Sequence, residues 1–471
     1  MTTRARLLMV VALLLALSPG VGGAARQQMF GLLFPELPPY DAPDDETLVR
    51  LTAAADPSGA PGPMLDENLA QDDNPDQVPA VFTYLGQFLD HDMTLDSLPL
   101  PVDFVDPTTI VNNRDQRLNL DSVYGSRRRL RPELYETDGE RLKVNKVNDR
   151  DLPRNPDGSA ILGDGRNDEN QVIAQIHVAF LRAHNRLIDQ GMPFEKARDL
   201  MEWRHQWIVV HEFLPEVLDP DVYADVFRSD GSIRTRYYAP EKAAKADMPI
   251  EFSVGAYRFG HSQVRRAYNI VEGGPRVQVF NGTETDLHGG RPIAADHTIF
   301  WPNFLNVGGV AAINVSRKID TLLSSGLFLL PIPGAEASGT SILALRNMQR
   351  AREYGLPSGQ AVAERLGVTV LSNADIATHI PRLAILNEPG FFNKEVNKNE
   401  APLWLYILAE SQIVHNGAKL GPVGSRIVAE VIGGLLAADK RSYYRQGWKP
   451  DGEQFRVQDL LREAGVLATA S

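Results

Sequence analysis

The chain has 471 residues, of which 43% are hydrophobic, enough to fold around a large core. Its formal net charge of -12 works against binding to nucleic acid or to anionic membrane surfaces. There is no cysteine, which excludes disulfides, thiolate catalysis, cysteine-held zinc and iron–sulfur clusters; any transition-metal site must rely mainly on the ten histidines.

The first segment, residues 1–24, has the layout of a secretory signal peptide. Arg4 and Arg6 precede an apolar run from Leu7 to Leu17, and small residues follow from Gly22 to Ala25. That run is too short for a membrane helix, which needs roughly 20 apolar residues. The expected location is therefore secreted or periplasmic, with no transmembrane segment after cleavage. Residues 25–78 are expected to be an extended N-terminal arm, because 36–78 is rich in Pro, Asp and Ala. Residues 79–471 are expected to form one large domain.

Helical periodicity begins near Val78. In "NQVIAQIHVAFLRAHNRLIDQ", residues 170–190, Val172, Ile176, Ala179, Phe180 and Leu187 share a stripe. The next stretch, 197–218, reads as helix until Pro215. Later helices are expected at Arg317–Ser325, Ser341–Tyr354, Gln360–Leu366, Leu403–Ile413 and Val423–Leu436. Strand signals are short, as in "VQVF" at 277–280. The pattern predicts a mainly α fold in one large domain, with long loops and little β structure.

Chemistry-bearing residues fall into a few short motifs. In "YLGQFLDHDM", residues 84–93, Gln87 and His91 are one turn apart on a single helix face, flanked by Asp90 and Asp92. Ionisable groups in an apolar helix need partners, because burying them alone is costly. "GDGRNDEN" sets Arg166 and Glu169 three residues apart at a helix start. "YRFGHSQVRR" holds His261, and "LRNMQRAREYG" places Asn347 and Arg350 one turn apart. Each motif alone is weak, since a lone histidine is usually a satisfied core residue and Arg–Glu spacing usually a surface pair. The pairs His177/His184 and His205/His211 are seven and six residues apart, not the i, i+4 spacing favoured by helical zinc sites.

Taken in order, these motifs resemble the animal-type haem peroxidases of the peroxidase–cyclooxygenase superfamily, and in particular their bacterial secreted branch. The resemblance also rests on "FLRAHNRL", "LDSVYGS", "RKIDTLLSSGLFLLP", "PLWLYILAE" and "LGPVGSRIVAEVIGGLL", and covers most of the chain from about residue 30. It implies a largely helical fold around one haem b. His261 would be the proximal iron ligand, Asn347 its hydrogen-bond partner, and Arg350 the cation near a haem propionate. His91 would be the acid/base histidine, Arg166 the distal arginine and Gln87 the glutamine that orders water or a halide. Asp90 and Glu169 would be ester-linked to haem methyl groups. Asp92 would ligate a structural Ca²⁺ together with Asp115, the Arg117 carbonyl, Asn119 and Asp121; Asn119, Asp115 and Asp121 depart from the usual residue types there.

The implied activity is reduction of hydrogen peroxide through an oxoferryl intermediate, with oxidation of halides, thiocyanate or small aromatic donors. Asn170 stands where some members carry the methionine of a sulfonium haem link. Its absence predicts bromide, iodide or thiocyanate as donors rather than chloride. The alternative is a haem-dependent fatty-acid dioxygenase. That chemistry needs a tyrosyl radical three residues before the proximal histidine, where this chain has Arg258, with Tyr257 beside it.

Overall fold

The computed structural model describes residues 28–40, 42–55, 61–66, 73–96, 104–125, 128–331, 341–388 and 400–468. The expected signal peptide lies outside them. Two helices form the centre of the fold, α7 (Leu403–His415) and α8 (Pro422–Ala438), numbered after the six introduced below. Leu403 to Ser411 are all buried, as is nearly every residue from Val423 to Leu436. A helix that is apolar all round belongs at the centre of a large core. The start of α8 needs partners for its free amides, and Glu410 of α7 supplies them, accepting from Val423 N at 3.0 Å. That buried carboxyl is pushed up to about 8 by its enclosure.

Six earlier helices complete the frame of the site: α1 (Asp45–Thr52), α2 (Val81–Met93), α3 (Gln171–Asp189), α4 (Phe194–Ile208), α5 (Leu343–Glu353) and α6 (Gly359–Leu366), of which α5 and α6 pack directly on the central pair. The sequence placed all of these but α1, within a few residues. The proline-rich stretch is thus not wholly extended. Asp44 accepts from Thr47 N at 2.9 Å and starts α1, whose Leu48 and Leu51 are buried. Within the arm, Phe34, Met64 and Leu65 join the same core. The arm is tied down by Glu251, whose carboxylate accepts from Leu33 N at 2.8 Å and Phe34 N at 2.9 Å.

Two expectations need correction. Arg317–Ser325 is not helical; it ends in a short strand, Leu323–Ser324, paired in parallel with Leu65–Asp66. Asp320 accepts from Leu322 N at 2.9 Å, a local bond that competes with a helical turn. The fully buried Arg317 holds the segment to Asp66 Oδ2 at 2.8 Å and Ser262 O at 2.7 Å. Second, the helix expected to stop at Pro215 continues through it to Val217. A π turn at Val209–Phe213 loosens the bonding ladder just before the proline, so its missing N–H is tolerated.

Strand content among the described residues is three two-stranded pairings. Phe30–Gly31 joins Met248–Pro249 in parallel, and Ala267–Asn269 joins Arg276–Gln278 in antiparallel, the latter taking in part of the expected 277–280 strand. No described helix is long and apolar enough to cross a membrane.

Candidate active site

A cavity of about 700 Å³ lies within the helical core, a size common for ligand sites. Its lining unites residues that lie far apart in the chain: Gln87, Asp90, His91, Arg166, Glu169, His261, Asn347 and Arg350. Helix α2 explains its own odd composition. Val81, Phe82, Leu85, Phe88 and Leu89 are buried, while Gly86, Gln87 and Asp90 are not, and that polar stripe faces the cavity. Gly86 lets the Phe213 ring approach closely, since a Cβ there would sit 3.1 Å from it and the ring would have to shift slightly.

His91 is 4% exposed. Its Nδ1 lies 2.9 Å from Asn167 Oδ1, which leaves Nε2 toward the cavity, with Glu169 Oε2 3.9 Å away. Burial, helped by the nearby Arg166 charge, lowers the imidazole pKa to about 3, so the ring is neutral at physiological pH. Arg166 comes from a short 3₁₀ turn, Gly165–Asp168, that Asp164 caps by accepting from Arg166 N at 2.9 Å. Asp164 also accepts from Arg166 Nη2 at 2.8 Å and from Arg114 Nε at 2.7 Å. Burial opposes charge on Arg166, but Asp164 overrides it and keeps the guanidinium cationic. Glu169 follows the turn and lines the same cavity; its side chain is half-exposed to that open space, yet desolvation by the walls raises its carboxyl to about 7. Gln87 is engaged on both sides, donating to Glu169 Oε2 at 3.3 Å and accepting from Asn170 Nδ2 at 3.1 Å. Asp90 accepts from Thr94 Oγ1 at 2.9 Å, and desolvation by the cavity walls raises its pKa.

The second histidine of the cavity sits at the end of an unusual run. A π turn, Glu251–Gly255, passes directly into a 3₁₀ helix, Ala256–His261. Irregular helix of this kind is frequent at functional sites. His261 Nδ1 is 2.8 Å from Asn347 Nδ2, and its Nε2 has no protein partner among the described residues. Asn347 also holds Arg258, its Oδ1 lying 2.8 Å from Arg258 Nη1. Burial and then the Arg258 charge hold His261 neutral, at about 3.

The sequence reading missed several residues here. Arg258, which the sequence offers only as a non-tyrosine at the radical position, is a half-buried cation with neutral partners, Asn347 Oδ1 and Ser253 O. Burial and the neighbouring Arg350 lower it to about 10. Arg346 also lines the cavity, one turn before Arg350 on α5. That i, i+4 arginine pair beside Asn347 was a usable signal. Arg350 itself donates to Tyr354 Oη at 3.0 Å and lies 3.7 Å from Asp96. Tyr257, beside Arg258, is buried at the cavity wall with no partner for its hydroxyl.

These residues fit a haem. The cavity offers two neutral imidazoles, a cluster of three guanidinium groups (Arg258, Arg346 and Arg350) where a ligand carboxylate would be welcome, and apolar walls from Val254, Phe259, Val264 and Leu343. The expected calcium ligands do not fit as arranged. Asp92 accepts from Leu120 N and Ser122 N, each at 3.0 Å. Asp115 pairs with Arg117, and Asp121 lies 3.3 Å from Arg114 Nη1. The Arg117 carbonyl faces Gln206 Nε2 at 3.5 Å. Only Asn119 Oδ1 is buried without a partner. Among the described residues no group of three or more His, Asp or Glu could hold a metal ion. The reason is charge: two arginines already neutralise the loop's carboxylates. The zinc alternative finds no support either. His184 meets Tyr124 Oη at 3.0 Å and His211 meets Tyr443 Oη at 3.1 Å, while His205 is enclosed between Phe88 and Phe180.

The family model for animal haem peroxidases matches residues 101–458. The chain belongs to that family. Curated relatives include thyroid peroxidase of Rattus norvegicus, 25% identical over 59% of this chain and 30% of that protein. Peroxinectin A of Dictyostelium discoideum is 26% identical over 58% of this chain and 52% of that protein. The chain therefore spans about a third to a half of the length of these relatives. Among solved structures, peroxidase A of Dictyostelium discoideum has a TM-score of 0.59 at 20% identity, covering 94% of this chain and 95% of that one. A fatty acid alpha-dioxygenase of Arabidopsis thaliana has a TM-score of 0.62 at 16% identity, covering 93% and 75%. At these identities the structural matches show the shared, mainly α fold.

Proposed function

We propose that this protein is a peroxidase that binds haem b in the central cavity and reduces hydrogen peroxide. The observation that carries the reading is the pair of neutral imidazoles, His91 and His261, directed into one cavity with Arg166 beside the first. Haem, held through His261 Nε2, would supply the two-electron oxidising chemistry. The chain's own groups do the rest. Asn347 orients the His261 ring, as such outer hydrogen bonds do. Arg258, Arg346 and Arg350 would pair with the propionate carboxylates. Neutral His91 takes a proton from peroxide at Nε2 and returns it to the departing oxygen. Arg166, fixed as a cation by Asp164, stabilises the negative charge that develops on that oxygen. Asp90 and Glu169 both reach the cavity and are the candidate ester links. Calcium, implied by the family resemblance, is not retained, because the residues expected to bind it are otherwise engaged.

The donors we propose are bromide, iodide, thiocyanate or small aromatics. Asn170 supports this: it caps α3 through Val172 N and Ile173 N and bonds Gln87, a polar role with no sulfonium link. The second reading, a fatty-acid dioxygenase, is favoured only by the free Tyr257 hydroxyl and the apolar cavity wall. We place the protein outside the cytoplasm on the signal-like N-terminus.

Purified protein should show a Soret band and oxidise bromide or a phenol with hydrogen peroxide. His91→Ala should keep the band and lose about 10²–10⁴-fold in peroxide turnover. Full turnover in that variant would sink the mechanism. Oxygen uptake with a polyunsaturated fatty acid and no added peroxide would favour the dioxygenase instead. Ester linkage predicts haem that stays with the chain in acidified organic solvent, and is lost in an Asp90→Ala, Glu169→Ala double variant.

A further inference from the structure

Behind His91 lies a hydrogen-bonded chain that runs away from the cavity. Asn167, the residue after Arg166, is fully buried. Its Oδ1 lies 2.9 Å from His91 Nδ1 and its Nδ2 lies 3.0 Å from His177 Nδ1. His177 is also fully buried, and its Nε2 has no partner. It lies outside the cavity lining and has no part in the reaction proposed above.

The chemistry of an amide settles the protons along this chain. An amide oxygen only accepts, and an amide nitrogen only donates. His91 Nδ1 must then carry the proton, and His177 Nδ1 must be a lone pair. Turning the amide over would give a second self-consistent state, with the lone pair of His91 on Nδ1 and its proton on Nε2. That state cannot serve a base that works at Nε2. It also fails once His91 is protonated, because an imidazolium donates from both nitrogens and would meet the amide N–H head on. The observed orientation alone is compatible with both charge states of His91. We propose that Asn167 is a positioning residue that, braced by His177, holds His91 in the Nδ1–H tautomer and so keeps the Nε2 lone pair facing the cavity. The proposal rests on the reading of His91 as the acid/base group and names what prepares it. The nitrogen that carries the proton in a histidine is set by the bond its other nitrogen makes. Here that bond comes from a 3₁₀ turn that also carries Arg166, so one short segment fixes both groups.

The test is the tautomer itself. Protein labelled with ¹⁵N-histidine, haem-loaded and held as the diamagnetic ferrous carbonmonoxide form, gives long-range ¹⁵N–¹H correlations that distinguish Nδ1–H from Nε2–H. The His91 signals are assigned by their loss in His91→Ala. The expected result is Nδ1–H at His91 and Nε2–H at His177. In Asn167→Leu, of similar size, His91 should shift toward Nε2–H, and the rate of reaction with peroxide should fall about 10–100-fold. Asn167→Asp keeps an accepting oxygen and should restore the Nδ1–H pattern, which a purely structural role for Asn167 does not require. An Nε2–H pattern at His91 in the unaltered protein overturns the proposal, as does an Nδ1–H pattern that persists in Asn167→Leu. If Asn167→Leu does not fold, the unaltered protein and Asn167→Asp decide. A chain that takes up no haem would instead overturn the peroxidase reading. The tautomer is then read in the haem-free protein and judges the Asn167 bridge by the same criteria.

Discussion

Single residues on α2 show how one helical turn can face several environments. Gln87, Asp90 and His91 reach the cavity, while Asp92 turns to the amides of Leu120 and Ser122. Asp92 remains costly: burial raises its carboxyl to about 7 despite those amides. His205, 4.0 Å away, is costlier still, with neither ring nitrogen partnered. Burial lowers it to about 3, against an ordinary 6.5. The unfolded chain therefore binds a proton below pH 6.5 that the folded chain refuses until about 3, so stability falls as pH drops through that window. His205→Phe, in a site already walled by Phe88 and Phe180, removes this penalty. Urea unfolding of the two proteins should show the variant gaining about 2 kcal/mol relative to the parent between pH 7 and pH 5. An equal response to acid would contradict the assignment.

At the scale of elements, the buried anchors were the least legible in the sequence. The long apolar runs of α3, α7 and α8 declare themselves by periodicity or by sheer hydrophobicity. A buried carboxylate such as Glu251 does not, because its partners, the amides of Leu33 and Phe34, lie more than two hundred residues away. Glu251→Ala should orphan both amides and cost about 3 kcal/mol. Limited proteolysis should then cut first near residues 28–40, and an unchanged cleavage pattern would count against the anchor. The loop at 114–121 carries the opposite lesson. Its carboxylates suggested a cation, and the structure supplies one from the chain itself, since Arg114 bridges Asp121, Asp164 and the Gly163 carbonyl. Dialysis against a calcium chelator should leave the melting temperature unchanged, whereas Arg114→Met should lower stability by about 3 kcal/mol by stranding buried charge. A chelator-induced drop would restore calcium to this loop. Asn167 escaped notice, and Arg258 drew notice only as a missing tyrosine, for a related reason: both lie in 3₁₀ turns, which an α-helical period cannot describe.

For the whole molecule, the candidate site was legible as a set of residues but not as a network. Spacing placed Gln87 with His91 and Asn347 with Arg350. Only the fold shows that segments near residues 90, 166, 261 and 350 enclose one cavity, and that Arg258, Arg346 and Arg350 gather in it. The architecture makes His261 central, since it is the one imidazole of the cavity whose far nitrogen is oriented by an amide itself locked to an arginine. The absorption spectrum of the ferric His261→Ala protein, beside that of the parent, tests this most directly. The account predicts a clear shift and weakening of the Soret band, with partial recovery when free imidazole is added. An unshifted Soret band in His261→Ala would contradict it.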